Sequence, residues 1–474
     1  MRSDLELLLD HPEEPAGLLV YDPARRTIFE LEVDDELVLR LLDGSRRPRE
    51  IAQEAGRALD DVLDLIDDLS DLLLLEDFET SELIDEWRQQ YEAEDELLQP
   101  ILTGRPTMEI AGWPVRVVDD ARHTCVCCGD CCHYAVPISP ETRHRLGEQA
   151  WLAQVVPEEV GRLFQLRPGT QWGRLEGVIA TQSDPTRCAF LDDKDLCRVH
   201  RRLGREAKPF ACRLFPLAYP VSTSEEVIVS LTFECPWIFQ SYETGERLAE
   251  GSERLRSLVS EMEEMYVLPQ EIPLDEQALV PVADYLSWEE GLLALVRRPA
   301  TNVVGFLKEI ESHWALLSDG GLNLAPTAAE LALLAAELLH CVQRERTILS
   351  DTPEQEEGVA WAGGVLTALA KRPEVVKAEF LWEDGPAADR FLCRFSRHFI
   401  EGKQHLFFQS LWTGLRAWIL LILLAQYDAA LLAQETGRPT ISLEALNRAL
   451  SRWCRLLDVR PMRLSFVGSA RRDY

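Results

Sequence analysis

The hydrophobic pattern of the first eighty residues changes period twice. Gly17–Tyr21 and Thr27–Val33 are short strand-forming runs on either side of Asp22-Pro23-Ala24-Arg25-Arg26, which predicts a β-hairpin. Asp34-Asp35-Glu36 opens a helix carrying Leu37, Val38, Leu41 and Leu42, and Gly44 stops it. Arg49–Arg57 and Asp60–Leu75 follow as amphipathic helices. The second has Val62, Leu63, Leu65, Ile66, Leu69, Leu72 and Leu73 on its apolar side. A polar helix from 81 runs into Pro100 and Thr103-Gly104-Arg105-Pro106, a linker. Beyond Glu243 the period is helical almost throughout, as in Leu248–Met265, Ala328–Val342, Val359–Lys371, Phe407–Leu432 and Leu443–Leu456. The expected fold class is therefore α+β and mostly α. A winged-helix-like domain would span 1–80, a helical linker 81–106, a cysteine-rich domain 107–240 and a helical C-terminal domain 241–474.

Composition sharpens this picture in two ways. The chain of 474 residues suits about three domains, and its 81 acidic against 49 basic residues give a net charge of -32. Such a surface repels phosphate backbones and anionic membranes, so nucleic-acid and membrane partners are not expected. Met1–Pro15 lacks a positive region followed by an apolar core. The most apolar run, Ala417–Tyr427, lies between Arg416 and Asp428. It is roughly half of a ~20-residue membrane span and reads as a buried core helix. The expected location is cytoplasmic, where thiols stay reduced.

Cysteines carry the candidate chemistry. Of 12, nine fall between Cys125 and Cys235, five of them (Cys125, Cys127, Cys128, Cys131, Cys132) inside the eight-residue run CVCCGDCC. Cys188, Cys197, Cys212 and Cys235 follow, whereas Cys341, Cys393 and Cys454 stand singly in helical patterns as small apolar residues. Crowded thiolates repel unless a cation neutralises them, so the run points to a metal, and Gly129 lets the backbone curl around it. The Cys125, Cys128, Cys131 spacing is C-x2-C-x2-C, as in [4Fe–4S] ferredoxins, where a remote Cys-Pro such as Cys235-Pro236 completes a cluster. Zinc, the second choice of metal, is also served by C-x2-C pairs, and Cys188, Cys197 and Cys212 could complete tetrahedral sites. His123, His133 and His200 flank cysteines and read as neighbours or hydrogen-bond partners, with ligation as the alternative.

Two resemblances add to this reading. The order CxxCGxCC, then C…C, then P…CRLFP resembles the bacterial cysteine-cluster family described as zinc- or iron-chelating. It falls on Cys125, Cys128, Gly129, Cys131, Cys132, Cys188, Cys197 and Cys212, with Cys127 outside the pattern. LGREAKPFACRLFP and VIVSLTFECPW resemble the flagellin lysine-N-methylase branch, as does, more loosely, the tail near Phe391–Leu432. That likeness implies methylation of protein lysines with S-adenosylmethionine. The residues themselves show neither a Gly-rich adenosyl cradle nor a C-x3-C-x2-C radical run, because position 135 is Ala135. The N-terminal hairpin, the Leu-Leu-Asp-Gly before an EIA helix and the closing leucine run resemble the PqqD-like peptide-chaperone domains. That likeness implies a peptide bound by strand addition at the hairpin edge.

Charge is not uniform. Residues 1–80 carry 23 Asp or Glu against 8 Arg, net -15, and favour a Lys- or Arg-bearing peptide. Residues 187–213 hold eight Lys or Arg against four acids, an island of +4 suited to an anionic cluster or cofactor, or to a paired helix face. The function expected is a metal-containing, methylase-like protein that modifies or recognises a peptide or protein substrate. The alternatives are a zinc-stapled recognition scaffold for a partner enzyme and a metal-handling protein. Metal ligands are expected among Cys125, Cys128, Cys131, Cys132, Cys188, Cys197, Cys212 and Cys235. No catalytic residue and no oligomeric state is legible.

Overall fold

The computed structural model describes residues 1–8, 18–107, 112–129, 132, 136–152, 163–168, 175–179, 188–223, 226–248, 252–262, 264–275, 277–296, 303–317, 327, 329, 331–336, 353–371, 380–457 and 463. In chain order the strands are β1 (Glu6–Leu8), β2 (Leu18–Asp22), β3 (Thr27–Leu31), β4 (Thr103–Pro106), β5 (Val115–Val117), β6 (Val136–Ile138), β7 (Phe164–Pro168), β8 (Leu175–Ile179), β9 (Val221–Ser222), β10 (Val227–Val229), β11 (Glu264–Val267), β12 (Glu271–Pro273) and β13 (Leu279–Pro281). The helices of the first half are α1 (Glu36–Leu41), α2 (Pro48–Ala55), α3 (Leu59–Asp71), α4 (Phe78–Leu98), α5 (Pro140–Gly147), α6 (Arg198–Leu203), α7 (Phe210–Leu214) and α8 (Ile238–Thr244). Those of the second half are α9 (Ser252–Ser260), α10 (Val282–Val296), α11 (Val303–Trp314), α12 (Pro353–Lys371), α13 (Gly385–Glu401), α14 (Leu411–Glu435) and α15 (Leu443–Leu457). Helix predominates over strand, an α+β and mostly α protein.

The chain forms two compact units, one of Met1–Asp95, Tyr134–Phe190 and Ala207–Pro209, the other of Glu96–His133, Leu191–Glu206 and Phe210–Tyr474. The stretch 107–240, read from sequence as one domain, contributes to both.

In the first unit β1, β2 and β3 form an antiparallel sheet with Val20 opposite Phe29. The hairpin turn is locked by the Asp22 carboxylate, which accepts from Arg2 Nη1 (2.8 Å), Arg2 Nη2 (2.9 Å) and Ala24 N (3.0 Å). Asp22 is wholly buried, and these charge-assisted bonds offset its desolvation. Pro48 starts α2, and Gly56 ends it at φ +67. On α3 Val62, Leu65 and Leu69 are buried in the core with Leu18, Val38 and Ile51, and Leu59 and Ile66 pack against it half-buried; Leu63 and Leu72, expected on the apolar side, are exposed. The buried stripe is i, i+3, i+7, narrower than the apolar run that suggested it. A second antiparallel sheet, ordered β6-β8-β7, completes the unit, and β3 runs beside β7. Cys188 is buried two residues before Phe190, whose ring tilts against Phe164 at 6.3 Å and Trp151 at 6.4 Å.

The second unit has a mixed sheet ordered β4-β11-β9-β10-β5 and a β12–β13 hairpin. Thr103–Pro106, read as linker, is an edge strand antiparallel to β11, and the expected helix Leu248–Met265 ends at Ser260 before β11. Pairing between segments far apart in the chain overrides local propensity at both places. α14 packs against α15, α13 and the turn before it, and its 25 residues extend the apolar run at both ends through buried Arg416 and Asp428. Its length and hydropathy would suffice to cross a membrane, and 83% of its most apolar stretch is buried inside the fold. Gly414 allows the close approach of α14 to the turn before it, since a Cβ there would stand 1.9 Å from His405 O. Beneath it, buried Glu289 accepts from Tyr285 and Lys403, and Tyr285 Oη lies 2.9 Å from His405 Nε2.

Candidate metal centre

Strand register brings the cysteine segments together. β5 and β10 pair in parallel, Val115 opposite Val227 and Val117 opposite Val229, so both strands leave the sheet at the same end. Beyond β5 the chain turns at Val118–Asp120 towards Cys125; beyond β10 it reaches Cys235. Residues 121–124 are strapped along α8 and its exit. Leu248 N donates to Ala121 O (2.9 Å), His123 N to Glu246 O (3.0 Å), Glu246 N to Thr124 Oγ1 (3.1 Å) and Ser241 Oγ to Thr124 O (3.3 Å).

The cysteine loop then curls back on itself. Cys127 (φ +57) and Gly129 (φ +79) are both left-handed, and Cys132 N donates to Gly129 O at 2.8 Å. Cys127 N donates to Cys125 Sγ at 3.4 Å, the kind of N–H···S bond that tunes metal-bound sulfur. Gly129 seats the loop on a second turn, for a Cβ there would stand 3.1 Å from Asp195 Cβ. That turn is organised by Asp192. Hydrogen bonds from Leu196 N (3.0 Å) and Lys194 N (2.9 Å), with the charge of Arg201, hold its carboxyl below the ordinary carboxylate range. Leu191 and Cys197 bridge across the turn, and Cys197 stands at the N-cap of α6. Gly129 and Asp195 thus join the first cysteine run to the segment that carries Cys197.

Cys235 is held by α15. Glu234 O accepts from Ser451 Oγ (2.5 Å) and Arg455 Nε (2.9 Å), and Pro236 O accepts from Asn447 Nδ2. Asn447, Ser451 and Arg455 are i, i+4 and i+8 on α15, one stripe gripping both carbonyls that flank the thiol. Cys235 Sγ lies 4.0 Å from His123 Nε2. Burial, reinforced by Arg205, lowers the His123 imidazole to about 4. Arg205 lies within Coulombic reach of Cys125 and donates to Arg213 O at 3.1 Å. Two more cations of the basic island are paired with carboxylates: Arg201 with Asp192 (2.7 Å), and Arg213 with Glu206 and Glu261.

Of the expected ligands, Cys125 is exposed, Cys128, Cys132, Cys197 and Cys212 are half-buried and Cys235 is buried, all in the second unit. Cys188 belongs to the first unit, and Cys131 lies outside the described residues, as do His133 and Cys341. Among the described residues no three His, Cys, Asp or Glu side chains converge on one metal position. The donor chemistry fits a soft ion nonetheless: thiols crowded into eight residues, turned by two left-handed backbones and seated beside a further cysteine turn. Cys125, Cys128 and Cys132 with Cys131 would hold it. Bound zinc would supply a structural tie or Lewis acidity, and an iron–sulfur cluster electron transfer. Sequence reasoning missed the α15 stripe, although polar residues spaced i, i+4, i+8 on the buried side of an amphipathic helix were the available signal.

Residues 124–236 match the CxxCxxCC domain family, described as zinc- or iron-chelating. The matched stretch spans Cys125 to Cys235, and it supports zinc or iron as the cofactor of this region. Comparison with curated proteins and with solved structures gave no match.

Proposed function

We propose that the chain binds zinc or iron through Cys125, Cys128, Cys131 and Cys132, joined by members of Cys197, Cys212 and Cys235, and uses this centre in modifying or recognising a peptide or protein. The observation that carries the reading is the left-handed Cys127–Gly129 turn lying on the Asp192–Cys197 turn. A loop of thiols is curved and seated there, while its aliphatic side chain, Val126, is exposed and cannot anchor it by burial. The test is anaerobic purification with zinc, iron and acid-labile sulfide analysis. Cys128→Ser should lose metal while Cys393→Ser keeps it. A chain holding neither zinc nor iron overturns the proposal. Iron with sulfide favours the cluster, and stoichiometric zinc the tetrahedral site.

Substrate docking at the N-terminal sheet is supported by β1, which pairs only with β2 among the described strands, and by the net charge of -15 over 1–80. An extended basic peptide would add along that edge. Lysine methylation with S-adenosylmethionine is supported by the motif likeness around Leu203–Pro216 and Val227–Trp237. Transfer of labelled methyl groups to a lysine peptide tests it. Peptide binding without transfer favours the recognition scaffold, and rapid metal exchange favours metal handling.

A further inference from the structure

We infer that His123 is a metal ligand and that, with Cys235, it forms the prepositioned nitrogen–sulfur half of the site. The inference rests on the metal-binding reading above and goes beyond it, since the family pattern consists of cysteines. The donor atoms, His123 Nε2 and Cys235 Sγ, are 4.0 Å apart. Two ligands on one tetrahedral zinc, with bonds of about 2.0–2.1 Å to nitrogen and 2.3 Å to sulfur, stand about 3.6 Å apart. A shift of a few tenths of an ångström therefore closes the pair on an ion.

Both partners are fixed by their surroundings. His123 sits in the strap whose N–H and C=O groups are bonded to Ser241, Glu246 and Leu248. A Cβ on Gly245 would come within 3.1 Å of His123 N, so a glycine permits this close passage. Cys235 is flanked by carbonyls tied to Asn447, Ser451 and Arg455, while its own carbonyl accepts from Ile238 N at 3.2 Å. Two residues beyond His123 comes Cys125, the first thiol of the loop. The loop can thus bring thiolates to a pair already in place. Rigid remote ligands plus a turn of local ones is how a site holds geometry against the repulsion of its own donors. A mixed imidazole and thiolate set suits zinc or a single iron, or an iron–sulfur centre with one nitrogen ligand.

The experiment loads the full chain with zinc and records X-ray absorption at the zinc edge, alongside zinc affinity by chelator competition. The expected result is an imidazole outer-shell signature in the wild-type protein, lost in His123→Ala together with roughly tenfold or more in affinity. His200→Ala should leave both unchanged, and Cys235→Ser should remove one sulfur scatterer. An all-sulfur shell around bound zinc refutes the assignment of His123 while leaving the metal-binding reading intact, as does full affinity in His123→Ala. Failure of the wild-type chain to bind zinc or iron refutes both. The absorption spectrum of the wild-type protein decides the matter even where a variant does not fold.

Discussion

Replacing Gly129 by Ala should unseat the cysteine loop, and the cost has two separable parts. Gly129 is left-handed at φ +79, where an L side chain costs about 1–2 kcal/mol. The new Cβ would also stand 3.1–3.2 Å from Asp195 Cβ, Cγ and Oδ1. Asp195 cannot easily retreat, because its turn is locked through the Asp192 carboxylate and the Leu191–Cys197 bridge. Overpacking against a rigid neighbour adds about 1–3 kcal/mol. Gly437 provides the internal control in the same unit: it is left-handed at φ +69 with nothing within 4 Å, so Gly437→Ala registers only the backbone part. Asp195 is itself left-handed at φ +60. Asp195→Gly should therefore relieve its own strain and open the space that the added methyl group needs. The assay is hydrogen exchange of the segment 121–132, read beside zinc or iron retention. Gly129→Ala should raise exchange locally by more than the control does for its own turn, and Asp195→Gly in the same chain should recover the difference. Equal losses for Gly129→Ala and Gly437→Ala, or no coupling between 129 and 195, would sink the argument that the two turns are seated on each other.

Other outcomes follow from buried polar groups in the second unit. Burial raises the Asp428 carboxyl from its ordinary 3.8 to about 6, against the opposing pull of Arg452. Its folded form holds the proton more tightly, so its contribution to stability is full below pH 3.8 and is lost as pH rises to about 6. Asp428→Asn should therefore stabilise the protein at pH 7 and flatten that window in denaturant titrations; a destabilised Asn variant at pH 7 would contradict it. The wholly buried His398 accepts from Leu231 N at Nδ1 (3.0 Å), leaving Nε2 to donate to Tyr242 Oη, and burial lowers it to about 3. The unfolded chain takes up a proton that the folded one refuses, so stability drops as pH falls from about 6.5 towards 3. Nitrogen-15 shifts should show His398 neutral at about pH 5, between those two values, and titration near 6.5 would refute this. Asn447→Ala should cost about 1–3 kcal/mol through the Pro236 carbonyl left without that donor, and Ser451→Ala less, about 0.5–1.5 kcal/mol, because Glu234 O keeps Arg455 Nε. Either should also speed thiol alkylation at Cys235, measured by mass spectrometry, and an unchanged rate would show that α15 does not position that cysteine.

Local features of this protein are legible along the chain. The hairpin at Leu18–Leu31, the helices at Pro48–Asp71 and the tight cysteine loop each depend on residues within one or two turns of one another. Turn formers, left-handed positions and hydrophobic period are therefore enough to predict them. Charge asymmetry and the crowding of thiols are compositional and equally visible. Tertiary structure alone decided what those features meet. Thr103–Pro106 is a strand because β11 pairs with it, and Leu63 is exposed because only one stripe of α3 finds a core. His123 faces Cys235 because β5 and β10 run parallel in one register, carrying segments 112 residues apart in sequence off the same end of a sheet. Asn447, Ser451 and Arg455 read as an ordinary polar minority on an amphipathic helix until the Glu234 and Pro236 carbonyls are placed beneath them. Propensity acts over a few residues, whereas strand register and helix packing are set by the whole core. The spacing of the thiols is written in the sequence, and the partners that hold them come from the fold.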